Sequence, residues 1–191
     1  MRRKILDAAK TLFLELGFEK TSIRNIADAI EYSPGTIYLY FKDKNELFFA
    51  LHQEAFMVLL GQFSKVTQVE DPLDKLVVMG KEYLTFAFEN PELYDLMFLM
   101  SAPIETLDCC NEIWMEGIQA FNLVTQIVTE CINKGYFKDQ NAEDLSMTFW
   151  ASVHGLASIH LRKRSTMFLE SERIPRLERA FDVLIDMIKK L

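Results

Sequence analysis

Glycine and proline are scarce in this 191-residue chain, with 7 and 5 copies. So few turn formers argue against a sandwich or barrel of many short strands and favour helices joined by short connections. No apolar run reaches the roughly 18 residues that a membrane span needs. The start, MRRKILDAAK, lacks the apolar stretch and cleavage site of a secretory signal, so a cytoplasmic location is expected. Cysteine is rare too: Cys109, Cys110 and Cys131 are odd in number and have no zinc-type spacing, which predicts reduced thiols. His154 and His160 fall six apart on a helix, about 240° around it, and cannot share a metal. No HExxH, nucleophile elbow or phosphate-cradling loop occurs. The expectation is a chain that is not an enzyme and carries no metal or cofactor.

What is present is helical periodicity. Ile5, Leu6, Ala9, Leu12, Phe13 and Leu16 make one amphipathic face, closed by Gly17 as a C′ residue. A second helix starts after Thr21 or Ser22 and carries Ile23, Ile26, Ala27 and Ile30 on one side. Ser33-Pro34 then reads as an N-cap followed by proline at the first helical position, which opens a short helix to about Tyr40. Asp43 to Glu46 is a capping-box pattern for a helix that meets no breaker except Gly61 until about Val66. Asp71-Pro72 and Asn90-Pro91 open helices near 72–89 and 91–101, the second ending at Pro103. Further helices are predicted near 106–134, 142–163 and 172–190. The fold class is therefore all-α: a three-helix head over residues 1–47 and a larger helical body over 48–191.

Two short helices joined by a tight turn at 21–40 have the layout of a helix-turn-helix that enters a DNA groove. On the second, Ile37 and Phe41 pack inward, leaving Gly35, Thr36, Tyr38 and Tyr40 outward. Gly35 permits close backbone approach to a phosphate at a helix start. Thr36 offers a methyl and a hydroxyl to base edges, and the tyrosines offer hydroxyls to phosphate. Lys44 opposes the dipole of the helix it starts, which a nearby phosphate would explain. The overall charge of −7 divides into +1 over residues 1–47 and −8 over the rest, as a DNA head on an acidic body would. Arg2, Arg3 and Lys4 at the start are read either as extra phosphate contacts or as a solvated helix end.

The segments TSIRNIA, SPGTIYLYF and KDKNEL resemble the tetracycline-repressor (TetR) family of transcriptional regulators, with ILDAAKTLFLELGF as the preceding helix. The resemblance implies DNA contacts from Ser22, Arg24, Thr36, Tyr38, Tyr40 and Lys44, with Gly35 as the close-approach residue. It also implies a homodimer formed through the last two helices, in which Ala151, Ser152, Gly155, Ala157 and Ser158 permit close approach, and a repressor released from a palindromic operator by a ligand. Trp150-x-x-x-His154-Gly155 looks like the Trp-His-Gly signature of one branch of the family. One departure stands out: Glu31 and Tyr32 occupy the turn where the family usually has glycine and a small aliphatic residue.

Aromatic and methionine side chains are dense in the body, and most belong to its core. If a pocket lies between its helices, Tyr83, Trp114, Asn122, Gln126 and His154 are the polar or aromatic contributors, for a small and largely apolar effector. Control by a partner protein is the competing expectation, favoured by an exposed apolar patch rather than an enclosed pocket. The long helix from Asp43 belongs to the head at one end and the body at the other, which supplies a mechanical route between them.

Overall fold

The computed structural model describes residues 1–100 and 115–191. The predicted helix stop at Pro103 and start at Thr106, together with Cys109, Cys110 and Trp114, lie outside the described residues. Those described form helices and turns without strands: α1 (Arg2–Leu16), α2 (Ile23–Ala29), α3 (Pro34–Tyr38), α4 (Lys44–Phe63), α5 (Pro72–Glu89), α6 (Pro91–Tyr94), α7 (Met115–Asn133), α8 (Ala142–Leu161) and α9 (Glu170–Ile188). A 3-10 segment, Ser64–Gln68, continues α4, and a turn of π-helix, Asp95–Leu99, continues α6. No described helix is long and apolar enough to cross a membrane.

The chain divides into two compact units, Met1–Val58 with Glu92–Gly117, and Leu59–Pro91 with Ile118–Leu191. The first unit closes on Ile5, Leu6, Ala9, Phe13, Ile26, Ile30, Ile37, Phe41, Leu47, Leu51 and Leu96, all buried. These are the inward positions that the 3-4 spacing marks on α1 to α4. Phe13, Phe18 and Phe48 pack as a trio with centroids 5.1 to 5.8 Å apart. Further along α4, His52 lies between Phe48 and Phe56, at 6.2 and 4.9 Å.

In the second unit α5 packs on α8, and α8 on α9. The contact is close at Gly80, where an added Cβ would fall 2.6 Å from the Phe181 ring and 2.9 Å from Phe149. Asp71 caps α5 by accepting from the amides of Leu73 and Asp74. The Lys134 ammonium, with these amides and the Tyr136 hydroxyl, holds the Asp71 carboxyl down at about 2. Burial, with the carboxylates of Asp71 and Glu130, pushes the Cys131 thiol up to about 12, so it remains a neutral core side chain.

Candidate nucleic-acid interface and body cluster

The helix-turn-helix begins with a reciprocal cap. Ser22 accepts from the Asn25 amide at 3.1 Å, and the Asn25 side chain accepts from the Ser22 amide at 3.0 Å. Thr21, the alternative cap, instead turns its hydroxyl to the carbonyls of Leu12 and Gly17 and is buried. The Ser22 hydroxyl also donates to Asn25 Oδ1 at 2.6 Å, so much of its capacity is used within α2. Arg24, two residues on from Ser22, is exposed.

The turn between α2 and α3 is a Schellman closure: the Tyr32 amide donates to Ala27 O at 3.0 Å and the Glu31 amide to Asp28 O at 3.1 Å. Glu31 is the C′ residue and adopts φ 62, the left-handed conformation that a glycine would take without strain. The departure noted in the sequence thus leaves the turn's shape intact and gives it a strained residue.

Helix α3 ends at Tyr38, short of the expected limit near Tyr40; Ile37 on it is buried and Phe41 beyond it enters the core, while Tyr38 is 56% and Tyr40 44% exposed. Gly35 is exposed; a Cβ there would meet only Ser33 Oγ at 3.6 Å, an ordinary contact. The fold itself therefore does not require glycine at this position. Thr36 is half-buried, with its hydroxyl 3.2 Å from Ser33 Oγ. Leu39, which the sequence reading passed over, is 81% exposed between the two tyrosines. Its spacing from Ile37 and Phe41, two residues each way, was the available signal.

Lys44 behaves differently from the expectation of a free phosphate ligand. Its ammonium donates to Phe18 O at 2.7 Å and lies 4.1 Å from the centre of the Phe18 ring. That internal acceptor explains a lysine in the first turn of α4 without a phosphate, although two of its three N–H groups remain. Half of the expected capping box is present, the Asp43 carboxylate accepting from the Glu46 amide, while the Glu46 side chain accepts from the amide of Lys42, one residue before the expected donor. The basic start is engaged within the chain as well. Arg3 pairs with Asp7 and Glu54, Arg2 lies 5.2 Å from the Phe41 ring centre, and Lys4 donates to Ile30 O.

In the body, Tyr83 Oη and His154 Nδ1 are 3.0 Å apart, which joins α5 to α8. Trp150 stands 5.9 Å from His154 and Phe121 stands 6.2 Å from Trp150, so the cluster extends to α7. Burial lowers the His154 pKa and favours the neutral ring. Asn122 and Gln126 are not brought to this cluster. Val124, Val128 and Cys131 fix the inward phase of α7, which turns 122 and 126 to the exposed side, where Gln126 donates to Glu130. Glu130 in turn pairs with Lys75 at 2.7 Å.

On α8 an added Cβ at Gly155 would meet nothing within 4 Å, in contrast to Gly80. Met147, Ala151 and Ile159 on that helix are exposed, as are Val183, Met187 and Leu191 towards the end of the chain. Of the small residues expected to permit close approach, Ala157 is fully buried within the protomer, whereas Ala151 is exposed and Gly155 has open space beside it.

Residues 5–51 match the family described as bacterial regulatory proteins, tetR family, and residues 76–188 match the tetracyclin repressor-like C-terminal domain. Among relatives, the HTH-type transcriptional repressor Rv1474c of Mycobacterium tuberculosis is 47% identical over 53 residues, 28% of each chain. The fatty acid metabolism regulator protein of Bacillus subtilis is 29% identical over 145 residues, 71% of this chain and 70% of that one. The chain thus spans about a quarter of the first relative and about two thirds of the second. Among solved structures, Bacillus subtilis FadR in complex with stearoyl-CoA aligns with TM-score 0.77 at 17% identity, covering 97% of this chain and 98% of that one. AibR in complex with isovaleryl coenzyme A and operator DNA aligns with TM-score 0.69 at 17% identity, covering 98% and 97%. With both of its parts matched, the chain belongs to the TetR family of bacterial transcriptional regulators.

Proposed function

We propose that this protein is a homodimeric repressor that reads a palindromic operator through α2 and α3 and is released by an acyl-CoA thioester bound in the body. The observation that carries the reading is the two-sided character of α3 and the turn that follows it: Ile37 and Phe41 enter the core, and Gly35, Tyr38, Leu39 and Tyr40 stand outside it. In this reading Arg24, Thr36, Tyr38 and Tyr40 contact DNA, Gly35 lets the backbone approach, Ser22 and Lys44 contact phosphate through their remaining donors, and Leu39 meets thymine methyls. Residues 1–47 serve as the reading head and 48–191 as the effector-binding and dimerising body.

The effector class rests on neighbours of the same fold that hold stearoyl-CoA and isovaleryl coenzyme A. Tyr83 and the neutral His154 ring suit a carbonyl or thioester among apolar neighbours, since the bond between them uses one of their two protons and leaves the other to donate. Asn122 and Gln126, on the exposed side of α7, would reach only the polar part of such a ligand. The dimer is proposed through the outer sides of α8 and α9, because Gly155 and Ala151 leave room there that the protomer does not fill.

The test is selection of bound fragments from sheared host DNA by the purified protein and by an Arg24→Ala, Tyr38→Ala double variant, followed by titration with acyl-CoAs of increasing chain length. Recovery of a palindrome by the native protein alone, and its release by one range of chain lengths, is expected. Equal recovery by the variant would refute the assigned reading face. Retention of the fragment at saturating acyl-CoA would refute the effector class.

A further inference from the structure

Helix α2 has seven residues and no basic side chain in its last turn. Its C-terminus still carries partial negative charge on unpaired carbonyls. The Schellman closure uses those of Ala27 and Asp28 and leaves Ile30 O to be satisfied from elsewhere. Lys4, on α1, supplies the donor: its ammonium lies 3.1 Å from Ile30 O and 5.0 Å from the centre of the Tyr32 ring. The cation therefore bridges the residues immediately before and after Glu31, the left-handed residue of the turn. Ile30 is buried, so the carbonyl end of the bridge is fixed to the core, whereas Tyr32 is largely exposed and gains order from the cation above it.

We infer that Lys4 and Tyr32 form a clasp that holds the Glu31 turn closed and thereby sets the direction of α3, which makes Lys4 a positioning residue for DNA reading rather than a phosphate contact. The inference rests on the proposed reading of DNA by α3. Glycine at the C′ position would hold the turn by its own conformational preference. Here a glutamate stands in that place, and the clasp stabilises what the backbone disfavours. Tyr32 belongs to the same device, since a small aliphatic side chain offers no ring to the ammonium.

The experiment uses full-length protein and the operator duplex recovered by genomic selection, with Lys4→Met, Glu31→Gly and the double variant. Lys4→Met keeps the apolar stem and removes only the charge and its donors. Operator affinity is expected to fall at least about fivefold in Lys4→Met, since each head loses one exposed cation–π contact and one hydrogen bond. The slope of log affinity against log salt should not change, and adding Glu31→Gly should restore most of the loss. A phosphate contact would instead lower that slope by about one for each subunit, without rescue by glycine. That result, or an affinity unaltered by Lys4→Met, overturns the clasp. Amide exchange at Glu31 and Tyr32 gives a reading independent of DNA: faster in Lys4→Met and slowed again in the double variant, against no change if the clasp is absent. If the native protein selects no operator, the DNA reading fails and the exchange cycle alone still decides the clasp.

Discussion

Replacing Gly80 by alanine tests whether the second unit owes its packing to a missing side chain. The new Cβ would lie 2.6 and 2.8 Å from two atoms of the Phe181 ring and 2.9 Å from Phe149. Carbon atoms in contact rest at about 3.5 to 4.0 Å, so both rings would have to retreat by roughly 1 Å. Neither has free space, since each is 2% exposed and both rings close on the same point of α5. Overpacking of this kind costs about 1–3 kcal/mol, and alanine's better helix propensity offsets about 1 kcal/mol. Because two buried rings must move, the cost falls in the upper part of that range, about 2–3 kcal/mol, and the expected net loss is about 1–2 kcal/mol.

Urea unfolding at one fixed protomer concentration measures it, with a lower midpoint at unchanged slope as the expected signature. Gly155→Ala is the control, because its Cβ would meet nothing within 4 Å. There only the propensity gain of about 0.5–1 kcal/mol should act on the protomer. A Gly80→Ala protein as stable as the native one, or more so, would mean that α5, α8 and α9 are not packed as described.

Glu31→Gly should stabilise the first unit by about 0.5–1 kcal/mol, because relief of the left-handed strain exceeds the added freedom of the unfolded chain; differential unfolding by amide exchange checks it, and destabilisation would refute the strain. His52 should titrate below its ordinary 6.5, because burial disfavours the charged ring more than the Met97 carbonyl and Glu116 favour it. Its folded pKa being the lower one, stability of the first unit is full above pH 6.5 and declines as the pH falls below it, since the unfolded chain then binds the proton more readily. Proton NMR titration of the His52 ring, with His52→Gln removing the pH-dependent part of stability, decides the matter; a midpoint at or above 6.5 would refute it.

Helix limits were legible wherever a local group sets them. Asp71 and Asn141 cap α5 and α8 through their own side chains, Pro34, Pro72 and Pro91 stand at first helical positions, and Gly17 and Gly135 adopt positive φ just past α1 and α7. The inward faces of α1 to α4 were legible for the same reason, since one period governs each helix. What escaped depends on partners distant in sequence. Lys4 and Lys44 each find a carbonyl 26 residues away, and no spacing rule connects a cation to an acceptor at that range. The side on which Asn122 and Gln126 lie was legible but passed over: with Gln119, Thr129 and Asn133 they recur at 3-4 spacing as one polar stripe of α7, opposite Val124, Val128 and Cys131. Glu31 shows a third limit: the sequence marks a departure in the turn, and only the Schellman bonds show that a glutamate is held there in left-handed backbone.

These internal attachments bear on how the head can bind a polyanion. Of the eight basic residues in 1–47, Arg2, Arg3, Lys4 and Lys10 are held by aromatic rings, carboxylates or a carbonyl of the same unit. Lys20, Arg24 and Lys42 are exposed, and Lys44 shares its ammonium with Phe18 O. Three or four cations per head are thus placed to neutralise phosphate, against eight if every basic residue took part. For the proposed dimer, counterion release then predicts a slope of log affinity against log salt of about −5 to −7, rather than about −14. The acidic body adds no attraction, so binding to unrelated DNA should be weak and discrimination should come from contacts on α3. Titration of the selected operator between low and moderate salt measures the slope. A value near −14 would mean that the ion pairs of Arg2 and Arg3 and the clasp of Lys4 open when DNA binds, and that the arrangement in the free chain does not limit its electrostatics.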